Sequence, residues 1–269
     1  MSRKKIIIVS LAVWALVAAP VTASSDGPSK QALDHSRVLT LPSSDSDTVY
    51  LGKAIDPESR SNVEGYAIIR YKKGYAKPGG TQNGKSCYGF LGQSTRWRAS
   101  ESWITNATNS RGLDASYVLT NLSDNMVKWE TAATKDILGS GALTAELLVA
   151  DTVSPDGLNE VYFADVDDAG AIAVTIVWGI FSGPPSSRRI VEWDQVYDDV
   201  DFDWSATGEA DKMDFESIAT HELGHSVGMA DLYSSDCATQ TMYGYASEGE
   251  VNKRTLETGD IAGVVKLYR

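Results

Sequence analysis

The chain has 269 residues, of which 42% are hydrophobic, and its formal net charge is -12. This length and composition suit one domain of moderate size with a buried core, plus an appendage. Because nucleic acids and anionic membrane surfaces are negatively charged, we expect neither as a partner of this acidic protein.

The first 23 residues have the organisation of a secretory signal peptide. Arg3, Lys4 and Lys5 precede an apolar run over residues 6–19, and small residues end at Ala23. The run is shorter than the ~20 residues of a membrane-spanning helix, and no later stretch is long and apolar enough to span. Cleavage after Ala23 changes the net charge from -12 to -15. We therefore expect a secreted, extracellular protein without stable membrane association.

Residues 24–86 differ in composition from the rest of the chain. They are rich in Ser, Asp, Gly and Pro, and one stretch, Val63 to Tyr71, has the pattern of a strand. Residues 72–85 are basic and glycine-rich, which is typical of a linker. We interpret residues 24–86 as a propeptide or an N-terminal appendage joined to the next domain by this linker.

Several β-rich runs and one helical stripe follow Cys87. The predicted strands cover residues 96–105, 161–164, 172–178 and 189–196. Between the first two strands, Leu122, Met126 and Trp129 recur at helical spacing and predict a core-facing helix over residues 121–133, capped at Asn121 or Ser123.

Two acidic runs interrupt these strands, at residues 165–168 and 198–203. Their carboxylate and backbone oxygens could bind calcium. For each run we favour solvated turns of an acidic protein, because the spacing does not match a calcium-binding loop. Calcium is therefore left open as a second ion.

A helix with metal-binding character begins after Asp214. Asp214 is a good N-cap, and Glu216 in the first turn suits the helix dipole. His221 and His225 lie four residues apart, so both imidazoles share one helix face and can bind one metal ion. Glu222 can reach a water on that metal and would act as a general base.

Asp231 is the predicted third ligand. Gly228 lets the chain leave the helix in a left-handed conformation, which can bring Asp231 back towards the two histidines. A plain turn aspartate is the alternative. The third histidine of the chain, His35, lies far upstream in a polar segment. Three protein ligands leave one position for water, which is the catalytic arrangement of zinc.

These residues resemble a known clan. The motif His-Glu-x-x-His-x-x-Gly-x-x-Asp over residues 221–231, followed by Thr241-Met242-Tyr243, is similar to metzincins of the snapalysin branch, in which aspartate replaces the third histidine. Residues 255–268 resemble the last helix of matrixin catalytic domains. The resemblance implies a Met-turn at Met242 beneath a catalytic Zn²⁺. Tyr245 is a weak candidate for a further role, because the usual tyrosine position is Gly244.

The resemblance also implies the fold and its boundaries. We expect an α+β fold in which a metzincin-like twisted mixed β-sheet packs on the active-site helix, with a small C-terminal subdomain ending in a helix. An edge strand of the sheet would bind substrate as an added strand. The expected division is a signal peptide at 1–23, a propeptide or appendage at 24–86 and a zinc protease domain at 87–269.

The two cysteines, Cys87 and Cys237, allow two interpretations. An exported protein with two cysteines favours one disulfide. Matrixin propeptides instead carry a thiol that caps the zinc, and Cys87 lies where such a switch could sit. The residues around Cys87 lack the Pro-Arg-Cys-Gly context of that switch.

The expected function is hydrolysis of peptide bonds in protein or peptide substrates. Zinc on His221, His225 and Asp231 would activate water, with Glu222 as general base. Two alternatives stay open: a non-catalytic, metal-stabilised binding protein on the same scaffold, and a zinc hydrolase of a non-peptide bond. The sequence does not determine the oligomeric state.

Overall fold

The computed structural model describes residues 37–75 and 86–269. The predicted signal peptide, His35 and residues 76–85 of the predicted linker lie outside the described residues. No helix in the two described ranges is long and apolar enough to cross a membrane.

The described chain alternates strands with three α-helices. The strands are β1 Val38–Leu39, β2 Thr48–Ile55, β3 Asn62–Lys72, β4 Glu101–Asn106, β5 Leu138–Leu143, β6 Asn159–Val166, β7 Ala171–Ile180, β8 Arg189–Asp198, β9 Trp204–Ser205, β10 Met213–Asp214 and β11 Tyr245–Ala246. The helices are α1 Ala115–Ala133, α2 Phe215–Ser226 and α3 Thr258–Tyr268.

One mixed sheet organises the molecule, in the order β11-β3-β7-β8-β6-β4-β5. Strands β4, β5, β6 and β8 are parallel, whereas β7 is antiparallel to both of its neighbours, β8 and β3. Strand β2 pairs with β3, and β1 pairs with the end of β6. This mixed sheet with packed helices confirms the predicted α+β fold.

Both faces of the sheet are covered by apolar side chains. On one face, α1, α2 and α3 enclose a core that includes Trp129, Trp193 and Phe215. On the other face, Val63 and Ile69 of β3 share a second apolar cluster with residues of β6, β7 and β8 and with Leu148 and Ala150. Residues 37–75 therefore form part of the same sheet as the rest of the described chain. The predicted division at residues 86 and 87 stays a prediction.

Most predicted strands are found, with one correction. The runs 161–164, 172–178 and 189–196 lie within β6, β7 and β8, and Val63 to Tyr71 lies within β3. The predicted strand at 96–105 is shorter, because β4 begins only at Glu101. The preceding residues bind helix ends instead: the Trp97 indole donates to the carbonyl of Ser226, and Arg96 donates to that of Leu267.

The first helix starts earlier than predicted. Helix α1 begins at Ala115, where the Asp114 carboxylate accepts hydrogen bonds from the amides of Ser116 at 2.9 Å and Tyr117 at 3.1 Å. The caps predicted at Asn121 and Ser123 are therefore wrong, since a satisfied cap already exists about two turns upstream, at Asp114. The predicted stripe of Leu122, Met126 and Trp129 is buried, which confirms its packing role.

The closing helix α3 buries one face against the core and exposes the other. Ile261 is 42% exposed, whereas Val264, Leu267 and Tyr268 are buried. Asp260 points inward in α3 and binds backbone amides of the Met-turn, so the next residue, Ile261, faces outward.

A disulfide joins Cys87 to Cys237, with their Cα atoms 5.3 Å apart. The predicted disulfide is thus confirmed, and the cysteine-switch interpretation of Cys87 fails because its sulfur is already bonded. The bridge closes a sequence separation of 150 residues. A loop of this length restricts the unfolded chain more than it restricts the folded one.

Replacing both cysteines by serine should lower the free energy of unfolding by about 2–4 kcal/mol, because the unfolded chain regains the freedom that the bridge removes. Urea unfolding of the oxidised chain and of the double variant measures this difference. The oxidised chain should have no alkylatable thiol. A thiol detected by mass spectrometry, or equal stabilities, would contradict the bridge.

Candidate metal centre

Helix α2 carries the centre and begins as predicted. The Asp214 carboxylate accepts from the amide of Ser217 at 2.9 Å and also receives Nε of Arg254 at 3.0 Å. Phe215, Leu223 and the other apolar residues of α2 are buried against the sheet. The helix is therefore fixed at its first turn and along its length, which holds the histidine face in one orientation.

The chain reverses immediately after α2. Gly228 has a φ of +103°, a left-handed conformation that favours glycine. A Cβ at this position would also lie 3.0 Å from the carbonyl oxygen of Thr95. The amide of Gly228 donates to the carbonyl of His225, and the amide of Met229 donates to that of Gly224. This tight turn brings Asp231 back to the histidines.

Three side chains converge at this turn. Nε2 of His221 lies 3.1 Å from Oδ1 of Asp231, and Nε2 of His225 lies 3.6 Å from Oδ2. The two Nε2 atoms are 3.1 Å apart. Tetrahedral zinc with bonds of about 2.0–2.1 Å separates its ligand atoms by roughly 3.3 Å. The donor set and its spacing therefore fit zinc.

Backbone carbonyls orient both imidazoles. Nδ1 of His221 donates to the carbonyl of Thr241 at 2.7 Å, and Nδ1 of His225 donates to that of Met229 at 3.0 Å. The lone pair of each ring is thus on Nε2, which faces Asp231. Burial, followed by the charge of Arg70, lowers the pKa of His221 to about 3. At neutral pH this ring is neutral, as a metal ligand must be.

The centre is anionic at neutral pH. Burial alone would raise the pKa of Asp231, but His225, His221 and Arg70 together lower it to about 2. The ionised carboxylate of Asp231 is a buried negative charge beside the neutral ring of His221. Such a charge needs a cation to compensate it.

Glu222 lies beside the three side chains and is fully buried. Its Oε2 accepts a hydrogen bond from Oγ1 of Thr175 at 2.6 Å, and its Oε1 has no hydrogen-bond partner in the described ranges. Burial raises the pKa of Glu222. Sequence reasoning missed Thr175, although a hydroxyl inside the apolar run of β7 was a visible signal.

The Met-turn supports α2 from below. A Cβ at Gly224 would lie 2.1 Å from Sδ of Met242, so the methionine sulfur packs directly on the helix. Asp260 accepts from the amides of Thr241 at 2.8 Å and Met242 at 3.1 Å. Sequence reasoning missed Asp260, which fixes the turn. Tyr245 packs edge-on against neighbouring tyrosines.

Two residues of the N-terminal segment also reach the centre. Arg70 is 1% exposed, and its Nη1 lies 2.6 Å from Nδ1 and 2.7 Å from Nε2 of His221. Asp47 is hydrogen-bonded by the hydroxyl of Tyr233. Burial, followed by the charge of Asp231, raises the pKa of Asp47 to about 6. No motif in the sequence indicated either residue.

The two predicted acidic runs are bound by other groups of the chain. Asp198 accepts from three backbone amides, Asp203 pairs with Arg111 at 2.9 Å, and Asp168 accepts from the hydroxyl of Tyr71. A different group brings ligand atoms of Asp151, Asp156 and Glu192 within 4.8 Å of one another.

Comparison with known proteins finds a family that is similar to the part of the chain that carries the centre. The family model of the matrixins matches residues 149–269, which include β6 to α3, the histidine motif and the Met-turn. The comparison with curated protein sequences finds no match. Residues 149–269, which carry the centre, are therefore similar to the matrixins, a family of metzincin zinc metallopeptidases, and this match supports a metzincin-like matrixin catalytic domain.

Proposed function

We propose that the protein is a secreted zinc-dependent endopeptidase that cleaves protein or peptide substrates. The observation that carries this proposal is the convergence of His221, His225 and Asp231 beside a buried glutamate, Glu222. The family match supports zinc metallopeptidase chemistry. Secretion rests on the signal-peptide pattern of residues 1–23.

The residues of the chain divide the work of hydrolysis. His221, His225 and Asp231 would hold the zinc, which when bound acidifies a water and polarises the scissile carbonyl. Oε1 of Glu222 takes a proton from the water while the water oxygen bonds to the carbonyl carbon of the substrate. The same oxygen passes that proton to the amine nitrogen as the peptide bond breaks. The hydroxyl of Thr175 donates a hydrogen bond to Oε2 of Glu222, and this bond fixes the orientation of Oε1.

The two alternatives are less well supported. A binding protein without catalysis would have no use for a buried carboxylate oxygen that lacks a hydrogen-bond partner. Oε1 of Glu222 is such an oxygen among the described residues. A zinc hydrolase of a non-peptide bond would share this centre. A panel of peptide and ester substrates, run with and without chelator, separates it from an endopeptidase.

Glu222→Gln should lower kcat/KM for casein or a peptide by about 10²–10⁴-fold, because the amide cannot accept the proton of the water. Its carbonyl oxygen can still accept from Thr175, so zinc content measured by atomic absorption should stay unchanged. Retained activity with bound zinc would eliminate Glu222 as the base.

Thr175→Val should lower kcat/KM by roughly 10-fold, because loss of the hydroxyl frees the Glu222 carboxylate to turn. The hydrogen bond from Thr175 lowers the pKa of Glu222, so its loss raises that pKa and moves the acidic limb of the pH–rate profile to higher pH. Thr175→Ser is the matched control, since it keeps the hydroxyl. An unshifted acidic limb in the valine variant would rule out this positioning role.

Calcium is proposed at a place other than the two predicted acidic runs. Glu192 is 1% exposed, and its carboxyl group is hydrogen-bonded to that of Asp151. Asp156 completes the group. Hard oxygen ligands of this kind suit calcium, which would compensate the buried negative charge.

Millimolar calcium should raise the melting temperature of the chain at pH 8 by about 2–4 °C. Burial and Asp194 raise the pKa of Glu192 from 4.5 to about 10, so its proton stabilises the folded state most below pH 4.5. That contribution falls as the pH rises towards 10, and calcium competes with the proton. The calcium effect should therefore shrink at pH 5 and vanish in Glu192→Gln; an equal shift in that variant would place the ion elsewhere.

A further inference from the structure

We infer that residues 37–75 inhibit the proposed protease within the intact chain, by occupying the substrate edge of the sheet with β3 and the metal ligands with Arg70. The inference rests on the proposed function. The inhibitory group is a guanidinium, and the thiol of Cys87 takes no part because it is bonded to Cys237.

Strand β3 lies where an extended substrate would lie. Without β3, strand β7 would have β8 as its one sheet neighbour, and its other edge would be open to an added strand. That edge passes the centre, because Thr175 of β7 is bonded to Glu222. Strand β3 pairs with β7 from Glu64 opposite Gly179 to Tyr71 opposite Ala171. A substrate strand and β3 therefore compete for the same backbone groups.

The strand also contacts the opposite wall of the site. On its other edge, Tyr71 of β3 pairs with Tyr245 of β11, which follows the Met-turn. Lys72 forms an ion pair with Glu248 at 2.9 Å, and the amide of Ile69 donates to the carbonyl of Asp47. Strand β3 therefore lies between β7 and β11, the strand that follows Met242, and pairs with both.

The alternation of side chains along β3 directs Arg70 into the centre. Ile68 lies opposite Thr175 and belongs to the core on the α2 side, and Arg70, two residues later, faces the same side. Nη1 of Arg70 donates to the carbonyl of Tyr243 at 2.7 Å and lies 2.7 Å from Nε2 of His221. The guanidinium is the cation that compensates Asp231 in this conformation.

Arg70 and zinc oppose each other at His221. Because Nδ1 of His221 donates to Thr241, the ring has one lone pair, on Nε2. Nη1 of Arg70 lies 2.6 Å from Nδ1 and 2.7 Å from Nε2, so the guanidinium lies against the ring, close to any zinc ion bound to that lone pair. A guanidinium also stays charged at every accessible pH, so it repels a divalent cation in this buried place. Zinc binding and withdrawal of Arg70 are therefore coupled.

The test compares three forms of the intact secreted chain: unaltered, Arg70→Gln and Lys53→Ala. Lys53 is the matched control, because it is a cation of the same hairpin that lies in β2 and pairs with Glu64. Zinc affinity is measured by competition with a chromophoric chelator, and activity is measured on a fluorogenic peptide. Arg70→Gln should bind zinc about 5- to 150-fold more tightly and cleave the peptide faster, whereas Lys53→Ala should match the unaltered chain.

The outcomes separate the inhibition from the proposed function. Tighter zinc binding in Arg70→Gln without cleavage of any peptide would support the contact between Arg70 and the metal ligands and would overturn the proposed protease activity. Equal zinc affinity and equal cleavage in all three forms would overturn the inhibition and leave the protease intact.

Hydrogen exchange on the unaltered chain keeps the inference testable if Arg70→Gln does not fold. Added zinc should speed amide exchange around Arg70 as the guanidinium withdraws, and identical exchange with and without zinc would overturn the inference.

Discussion

The carboxylate of Asp231 meets two imidazoles because the chain reverses in a left-handed turn at Gly228, directly after α2. The rest of the structure stabilises this arrangement of the three side chains. The sheet buries the far side of the helix, the sulfur of Met242 packs on Gly224, and Asp260 holds the amides of the Met-turn. A buried, ionised carboxylate is tolerable only with a cation, so the same turn creates the requirement for a metal or for another positive group.

That requirement explains why a buried arginine is stable in this place. Arg70 supplies the compensating charge and donates to the carbonyl of Tyr243, so its own desolvation is offset by charge and by hydrogen bonding. Both faces of β7 are buried, one in the core that includes α2 and the other in the second apolar cluster. Strand β3 lies beside β7 in the same sheet, so in the proposed inhibition it covers the edge of β7.

The sequence predicted what local spacing encodes. The histidine pair, Glu222, the glycine of the turn and the Asp214 cap follow from helix geometry, and each lies where that geometry places it. Contacts between distant segments were out of reach. Thr175 and Arg70 are each visible as a polar residue in an apolar strand, but their partners are defined only when β3, β7 and α2 come together. The start of α1 was missed for a local reason, since Asp114 was a readable cap.

Both cysteines lie on the same side of the segment between Tyr75 and Ser86. Cleavage of the chain there would leave the N-terminal hairpin without a covalent bond to the remainder of the chain. The disulfide would keep the new N-terminal segment at Cys87 attached to Cys237. The two fragments would then form a complex held by strand pairing, apolar contact and one guanidinium. After cleavage, the proposed inhibition would persist until that complex dissociates. Dilution of the cleaved protein, and not cleavage alone, would then be needed for activity.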